Sequence, residues 1–374
     1  MSKRLPFRIF ATSLPGLEGV LGEEVARLPS ASRVQVLPEG VALEGDLSTL
    51  YSANLWLRTA SRVLVRLGEG RARDFAHLYR LAASLPWSRV AAPRVRLEIA
   101  ATARKSRLYH TGAIAERVRD AVGRAVVITD APDAPLMYVI VRGERDLFQF
   151  SVDSSGELLH RRGYREETAK APLRETLAAG ILALARWDPS TPLFDPTCGS
   201  GTLILEGALM ASGIAPGLMR TFAFAHWPGF DQALWERLVA EARAKIHPPG
   251  ASLVGADRHP SAVGIARRNA ERAGLSDTAR FLQADVRQAH VPEGPPGLIA
   301  CNPPFGKRVS PPSGLRSVYS ALGSLLQRAP GWRLAVLASD PSLAREIKAN
   351  SVAEVPLTTG GLKVRLYVME NRQK

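Results

Sequence analysis

From Leu173 onward, short apolar runs alternate with amphipathic segments, and this alternation constrains the fold more than any other feature of the chain. An apolar run of about five residues is the length of a buried strand, whereas apolar residues at every third or fourth position mark a helix packed on one face. The spacing predicts helix 173–185, strand 192–195, helix 202–211, strand 253–257 and helix 260–273. It continues with strands 279–283 and 297–301, helix 315–328 and strand 333–338. Strands and helices that alternate in this way build a doubly wound, mostly parallel sheet with helices on both faces. Two further apolar runs, 352–357 and 362–369, read as a terminal hairpin closing that sheet. Residues 212–250 interrupt the alternation with an insertion carrying Pro, Trp and Phe.

The N-terminal part is a smaller α/β or α+β pattern. Strand 8–12 precedes helix 16–28, an alternating segment 33–43 folds back around Pro38-Glu39-Gly40, and helix 48–57 starts near Asp46 as a possible cap. Strands at 62–67, 94–101 and 137–142 follow, with helix 112–122 between the last two. At 374 residues, two or three domains are expected. Residues 151–175 read as a connector, and within it His160-Arg161-Arg162-Gly163-Tyr164-Arg165 is either a solvated linker or a phosphate contact with a base stacked on Tyr164.

Hydrophobic residues make up 46% of the chain and charged residues 22%, a globular rather than disordered composition. The formal net charge of +14 is the electrostatic footprint of a nucleic-acid binder, and Arg94, Arg96, Arg104, Lys105 and Arg107 concentrate part of it. No apolar run reaches the length of a membrane span, and Met1 to Pro6 lacks the apolar core of a signal peptide, so no membrane partner is expected. Cys198 and Cys301 lie far apart and outside any CxxC. That argues against a zinc site or a disulfide framework and for a reducing, cytoplasmic setting.

Three motifs carry chemistry. Phe194-Asp195-Pro196-Thr197-Cys198-Gly199-Ser200-Gly201-Thr202 joins a strand to a helix, where glycines allow a tight turn and a close ligand approach to the helix N-terminus. Asp257, at the end of the next strand, either accepts hydrogen bonds from two ribose hydroxyls or caps helix 260–273. Asp285 ends the third strand and either meets an adenine amino group or caps a turn. The decisive motif is Cys301-Asn302-Pro303-Pro304-Phe305-Gly306 after the fourth strand. The Asn302 side-chain oxygen and a proline carbonyl form two acceptors in a loop stiffened by proline, able to hold both hydrogens of a flat exocyclic amino group. Phe305 is suited to stacking on the base.

The motifs at 195–202 and 302–306 resemble those of class I amino-methyltransferases. The segments 158–165, 171–179 and 222–230, with the start at 11–20, narrow the resemblance to the THUMP-domain RNA guanine-N2 methyltransferases, nearest the bacterial group acting on 23S rRNA. The resemblance spans nearly the whole chain. It implies an α/β fold: a Rossmann-like domain with a mixed seven-stranded sheet at 173–374, preceded by a ferredoxin-like segment at 1–55, a THUMP RNA-binding domain at 56–155 and a linker at 156–172. The implied cofactor is S-adenosyl-L-methionine, with Thr176, Asp195, Pro196, Cys198, Gly199, Gly201, Thr202, Asp257, Arg258, Asp285, Val286 and Asn302 as its binding residues. Asn302, Pro303, Pro304 and Phe305 are the implied catalytic residues, and no metal is expected. Phe305 departs from the pattern, because many relatives carry Tyr there. Stacking survives that change, whereas a phenolic hydrogen bond does not.

The expected partner is structured RNA, 23S rRNA before tRNA, engaged by a monomer. Methylation of adenine N6 uses the same pocket chemistry and is the alternative within the enzyme class. An RNA chaperone with an inactive pocket is the alternative outside it. A NAD-dependent enzyme is weakened by the lack of a full GxGxxG.

Overall fold

The computed structural model describes residues 6–165, 173–303, 312–359 and 361–371. It divides into two compact units. One comprises residues 1–13, 22–159 and 220–239, and the other residues 14–21, 160–219 and 240–374.

Among the described residues the first unit holds an eight-stranded sheet. Its strands are β1 (Phe7–Ser13), β2 (Ser32–Leu37), β3 (Gly40–Gly45), β4 (Ala60–Arg71), β5 (Arg94–Arg104), β6 (Val127–Ile128), β7 (Leu136–Glu144) and β8 (Leu147–Asp153). The spatial order is β2-β3-β1-β4-β8-β7-β5-β6. Helices α1 (Glu18–Val25), α2 (Leu47–Trp56), α3 (Phe75–Ala83) and α4 (Thr111–Val122) are interspersed with these strands. The expected cap on α2 is a full capping box: Asp46 Oδ1 accepts the Thr49 N–H at 3.0 Å, and the Asp46 N–H donates back to Thr49 Oγ1 at 3.2 Å.

Two features of this unit differ from the sequence expectation. The segments expected as separate modules at 1–55 and 56–155 share one sheet, because β4 pairs with β1 on one side and β8 on the other. Residues 220–239, expected inside the domain at 173–374, belong here instead. The reason is aromatic burial: Phe224 stacks on Tyr51 at 4.5 Å and on Phe222 at 5.3 Å, while Phe230 and Trp235 complete the cluster.

The second unit is the expected mixed sheet. Strands β9 (Leu193–Asp195), β10 (Leu253–Asp257), β11 (Ala279–Gln283), β12 (Leu298–Cys301), β13 (Arg333–Ala338), β14 (Asn350–Thr359) and β15 (Leu362–Glu370) are arranged β11-β10-β9-β12-β13-β15-β14. The first five are parallel to their neighbours, and β15 runs antiparallel between β13 and β14. Helices α5 (Glu175–Leu184), α6 (Thr202–Ala211), α8 (Pro260–Arg272), α9 (Pro312–Gln327) and α10 (Pro341–Arg345) accompany the strands, whereas α7 (Gln232–Ala244) belongs to the first unit up to residue 239.

Successive strand residues enter two different cores. Leu193, Leu253, Leu298 and Ala300 pack with α5, α6 and α8, while Phe194, Val254, Ile299 and Cys301 pack with α9 and α10. Burial on both faces is why these strands read as unbroken apolar runs. The strand order reverses direction between β9 and β12, so the loops leaving their carboxyl ends diverge and open a crevice there. Among the described residues, no helix is long and apolar enough to cross a membrane.

Candidate active site

The crevice is built from the turn that follows β9. Asp195 ends the strand, and its Oδ1 accepts the Thr197 N–H at 3.0 Å, which bends the chain at once. The Cys198 N–H donates to the Ala256 carbonyl at 2.9 Å and ties the turn to β10. Gly199 adopts φ +53° and Gly201 φ +85°, the left-handed region that side chains disfavour. A Cβ on Gly201 would lie 2.8 Å from the Phe281 ring, whereas at Gly199 it would meet nothing within 4 Å. Gly201 is therefore demanded by packing as well as backbone conformation, and Gly199 leaves its face of the turn open. Gly201 is also the N-cap of α6 and supplies no side-chain cap, so the first amides of that helix are left for other partners.

Two carboxylates flank this turn. Asp195 is buried, and burial pushes its carboxyl up to about 8, with the nearby Asp257 adding to the shift against the opposing Thr197 hydrogen bonds. Asp257 accepts the Gly199 N–H at 3.0 Å through Oδ2 and the His259 N–H at 2.9 Å through Oδ1. Asp257 is not the cap of α8, whose N-cap is His259 with no side-chain cap hydrogen bond; it fixes the backbone just before the helix. Each of its oxygens keeps acceptor capacity beyond these bonds. Arg258 is exposed, and its Nε donates to His259 Nε2 at 3.0 Å.

Past β11, Asp285 is gripped by Arg287. Oδ1 accepts Arg287 Nε at 2.8 Å and the Arg287 N–H at 3.0 Å, and Oδ2 accepts Arg287 Nη2 at 2.6 Å. These hydrogen bonds hold the Asp285 carboxyl down at about 2. Val286 is buried in the core with Phe194 and Val254.

Asn302 leaves β12 directly beside β9, as the register Leu298↔Leu193 and Ile299↔Phe194 requires. Its Oδ1 is buried and has no hydrogen-bond partner among the described residues. A buried acceptor without a donor costs free energy, so this atom calls for a donor from outside the described residues, and a ligand N–H can supply one. Pro303 is buried next to it. Pro304, Phe305 and Gly306 lie outside the described residues. Burial, followed by the neighbouring acids, pushes the Cys198 thiol well above its usual range, and Cys301 is raised by burial and Asp195. Neither sulfur is a thiolate nucleophile.

The connector corrects both of its sequence readings at two residues. Tyr164 is neither a stacking platform nor solvated: it is 1% exposed and its hydroxyl donates to Glu206 Oε1 at 3.1 Å. Arg162 is equally enclosed and forks onto Glu206, Nε to Oε1 at 3.3 Å and Nη2 to Oε2 at 3.2 Å. Arg165 pairs with Glu175 at 2.5 Å and donates to the Leu173 carbonyl at 2.9 Å and to Thr202 Oγ1 at 3.4 Å. It thereby links the first turns of α5 and α6, where Thr176 is also buried. Burial pushes the Glu175 carboxyl up to about 7 against the pull of Arg165. Glu206 was not singled out from sequence, yet one signal was present. Glu206 sits inside the otherwise apolar TLILEGALMA, and a carboxylate there needs a buried partner.

In the first unit, three strand ends are bound together through Asp146. Its Oδ1 accepts the Arg107 N–H at 2.7 Å, its N–H donates to Ser106 Oγ at 3.1 Å and its carbonyl accepts the Ala72 N–H at 2.9 Å. Arg71, Arg73, Arg104, Lys105, Arg107 and Arg145 are exposed around this knot, and the Tyr109 side chain is 77% exposed beside it.

Two family models match the chain. Residues 162–367 match the RMKL-like methyltransferase domain, and residues 8–64 match the RlmL ferredoxin-like domain. The chain is 35% identical to "Putative RNA methyltransferase slr0064" of Synechocystis sp., covering 96% of both chains. It is 37% identical to ribosomal RNA large subunit methyltransferase K/L of Syntrophotalea carbinolica over 96% of this chain and 53% of that one. The chain thus spans about half the length of the K/L relatives it matches. Among solved structures, "SMU.472, a putative methyltransferase complexed with SAH" superposes with a TM-score of 0.90 at 30% identity, covering 99% of this chain and 100% of that one.

Proposed function

This chain belongs to the RMKL-like methyltransferase family, and from that membership we propose that it transfers a methyl group from S-adenosyl-L-methionine to the exocyclic N2 of a guanosine in structured RNA, 23S rRNA before tRNA. The observation that carries the reading is the buried Oδ1 of Asn302, without a hydrogen-bond partner among the described residues, at the carboxyl edge of β12, beside the glycine turn after β9. An amino group is the donor that such an acceptor lacks.

The crevice fits the cofactor. Gly199 leaves open space, the first amides of α6 lack a side-chain cap, and carboxylates stand at three successive strand ends. Pro196, Cys198, Gly199, Gly201, Thr202 and Thr176 would line its methionine end with Asp195, Asp257 and Arg258 its ribose, and Asp285 and Val286 its adenine. When bound, S-adenosyl-L-methionine supplies an electrophilic methyl group. The chain supplies the rest. Asn302 Oδ1 and the Pro303 carbonyl accept the two amino hydrogens and orient the nitrogen lone pair, and they stabilise the positive charge developing on that nitrogen. Pro304 and Phe305 lie outside the described residues; the resemblance assigns them to the target base, with Phe305 suited by its aromatic ring to stacking on a base turned out of its helix. Residues 8–64 form the ferredoxin-like part. The THUMP module at 56–155 would grip RNA through phosphate contacts.

Asp195 makes cofactor affinity pH-dependent. With its carboxyl pushed up to about 8, it is largely protonated at neutral pH, and a cationic cofactor favours the ionised form. Affinity is therefore expected to rise as pH climbs through 8, with proton release on binding, read by calorimetry in buffers of different ionisation enthalpy. The same shift acts oppositely on the free protein. A folded value above the ordinary 3.8 means that the unfolded chain ionises first, so this group's contribution to stability is lost as pH rises from about 4 to 8.

The basic knot around Asp146 predicts a salt effect. Replacing Lys105, Arg107 and Arg145 by alanine should reduce the slope of log affinity for RNA against log salt by roughly 2–3. Cofactor affinity should not change. An unaltered slope would remove this face from the RNA interface.

The reaction itself is tested with tritiated S-adenosyl-L-methionine and separate pools of unmodified rRNA, tRNA and duplex DNA, followed by nucleoside analysis. N2-methylguanosine in 23S rRNA is the expected product. The same nucleoside in tRNA changes the substrate and keeps the mechanism. N6-methyladenine overturns the base assignment, and no label in any pool favours a protein that only binds.

A further inference from the structure

We propose that Arg287 is a positioning residue that sets the cofactor's base specificity, by holding the Asp285 carboxylate with one lone pair of Oδ2 aimed at an exocyclic amino group. The inference rests on the proposed adenine-side role of Asp285. Both Asp285 oxygens are engaged by one guanidinium, Oδ1 to Nε at 2.8 Å and Oδ2 to Nη2 at 2.6 Å. Oδ1 also accepts the Arg287 N–H at 3.0 Å, whereas Oδ2 accepts only Arg287 Nη2 among the described residues and keeps acceptor capacity. A planar fork fixes the plane of the carboxylate as well as its place, which an ammonium would not do. The neighbouring Arg258 also faces Asp285 and stabilises its charged form.

The division of exposure suits this role. The Arg287 side chain is 64% exposed and that of Asp285 22%, so the cation is the more solvated partner of the pair. Val286 between them is buried in the core and anchors the segment. An exposed ion pair two residues apart adds little to fold stability. Its geometric regularity therefore serves orientation, and its removal leaves the fold intact.

The test is calorimetry of the full chain with S-adenosyl-L-homocysteine and with S-inosyl-L-homocysteine, which carries an oxo group in place of the 6-amino group. The wild type is expected to prefer the adenosyl compound by about tenfold or more, because an oxo acceptor facing a carboxylate is unpaired. Arg287→Ala should lower adenosyl affinity at least about threefold and leave inosyl affinity unchanged, narrowing the preference. Arg287→Lys should restore only part of it. Equal losses for both compounds, no loss for either, or full restoration by lysine would each overturn the positioning role. Asp285→Asn separates the two levels. If it leaves the wild-type preference intact, the adenine-side assignment of Asp285 fails, and this inference fails with it.

Discussion

Asn302→Ala is expected to lower kcat by about 10²–10³-fold while changing the affinity for S-adenosyl-L-homocysteine less than about threefold. The size follows from what is removed. Oδ1 is a preorganised acceptor, already buried and without a partner among the described residues, so it needs no reorganisation to meet a developing charge. The cofactor contacts proposed for the glycine turn and for Asp257 and Asp285 are untouched by the change. Single-turnover methylation alongside calorimetry checks both halves. Near-normal turnover in the variant would sink the mechanism, and loss of cofactor binding would mean that Asn302 belongs to the cofactor cradle instead. Asn302→Asp is an informative companion, because it keeps an acceptor and adds a charge whose burial is costly.

Glu206→Leu is expected to destabilise the second unit by about 3–5 kcal/mol, since it leaves the enclosed Arg162 guanidinium without its counter-charge. For a unit of this size that corresponds to a fall in Tm of roughly 6–20 °C. Tyr164 loses its acceptor in the same step. The double variant Arg162→Met/Glu206→Leu should recover much of the loss, because it removes both buried charges together. Thermal unfolding of the wild type, both single variants and the double variant completes the cycle. Additive losses would show that packing, not charge pairing, sets the stability here. A second consequence is local. The ion pairs of Arg162 and Arg165 reach α6 and the Thr202 hydroxyl, immediately after the glycine turn. Weakening either pair should raise the cofactor dissociation constant before it lowers Tm appreciably at assay temperature.

Much of the second unit was legible in the chain. β9 through β13 fall where the apolar runs lie, and the closing hairpin is β14 and β15. For β9, β10, β12 and β13 the reason is local: a strand buried on both faces has no polar position to blur the pattern. In the first unit α3, Phe75–Ala83, and β8, Leu147–Asp153, were not read. β8 alternates apolar and polar residues over one face and runs into the connector without a breaker. The insertion was recognised, but the unit it belongs to was not, because Tyr51 and Phe224 are neighbours only in space. Tyr164 was misassigned for the same reason. An aromatic flanked by arginines looks like a nucleic-acid contact until its hydroxyl is found on a buried glutamate 42 residues away.

By itself, the sequence determined the order of the strands in the second unit, the strand ends at which Asp195, Asp257, Asp285 and Asn302 stand, and the glycines of the turn. Each of these follows from hydrophobic period, chain direction and backbone freedom, which are properties of neighbouring residues. Tertiary structure alone decided which charges are paired and which atoms are left open. Arg162 and Arg165 became internal ties, Arg287 closed on Asp285, and Asn302 kept a buried oxygen without a donor among the described residues. Pairing depends on distances between residues far apart in the chain and on the loss of water around them, and neither is written in local spacing.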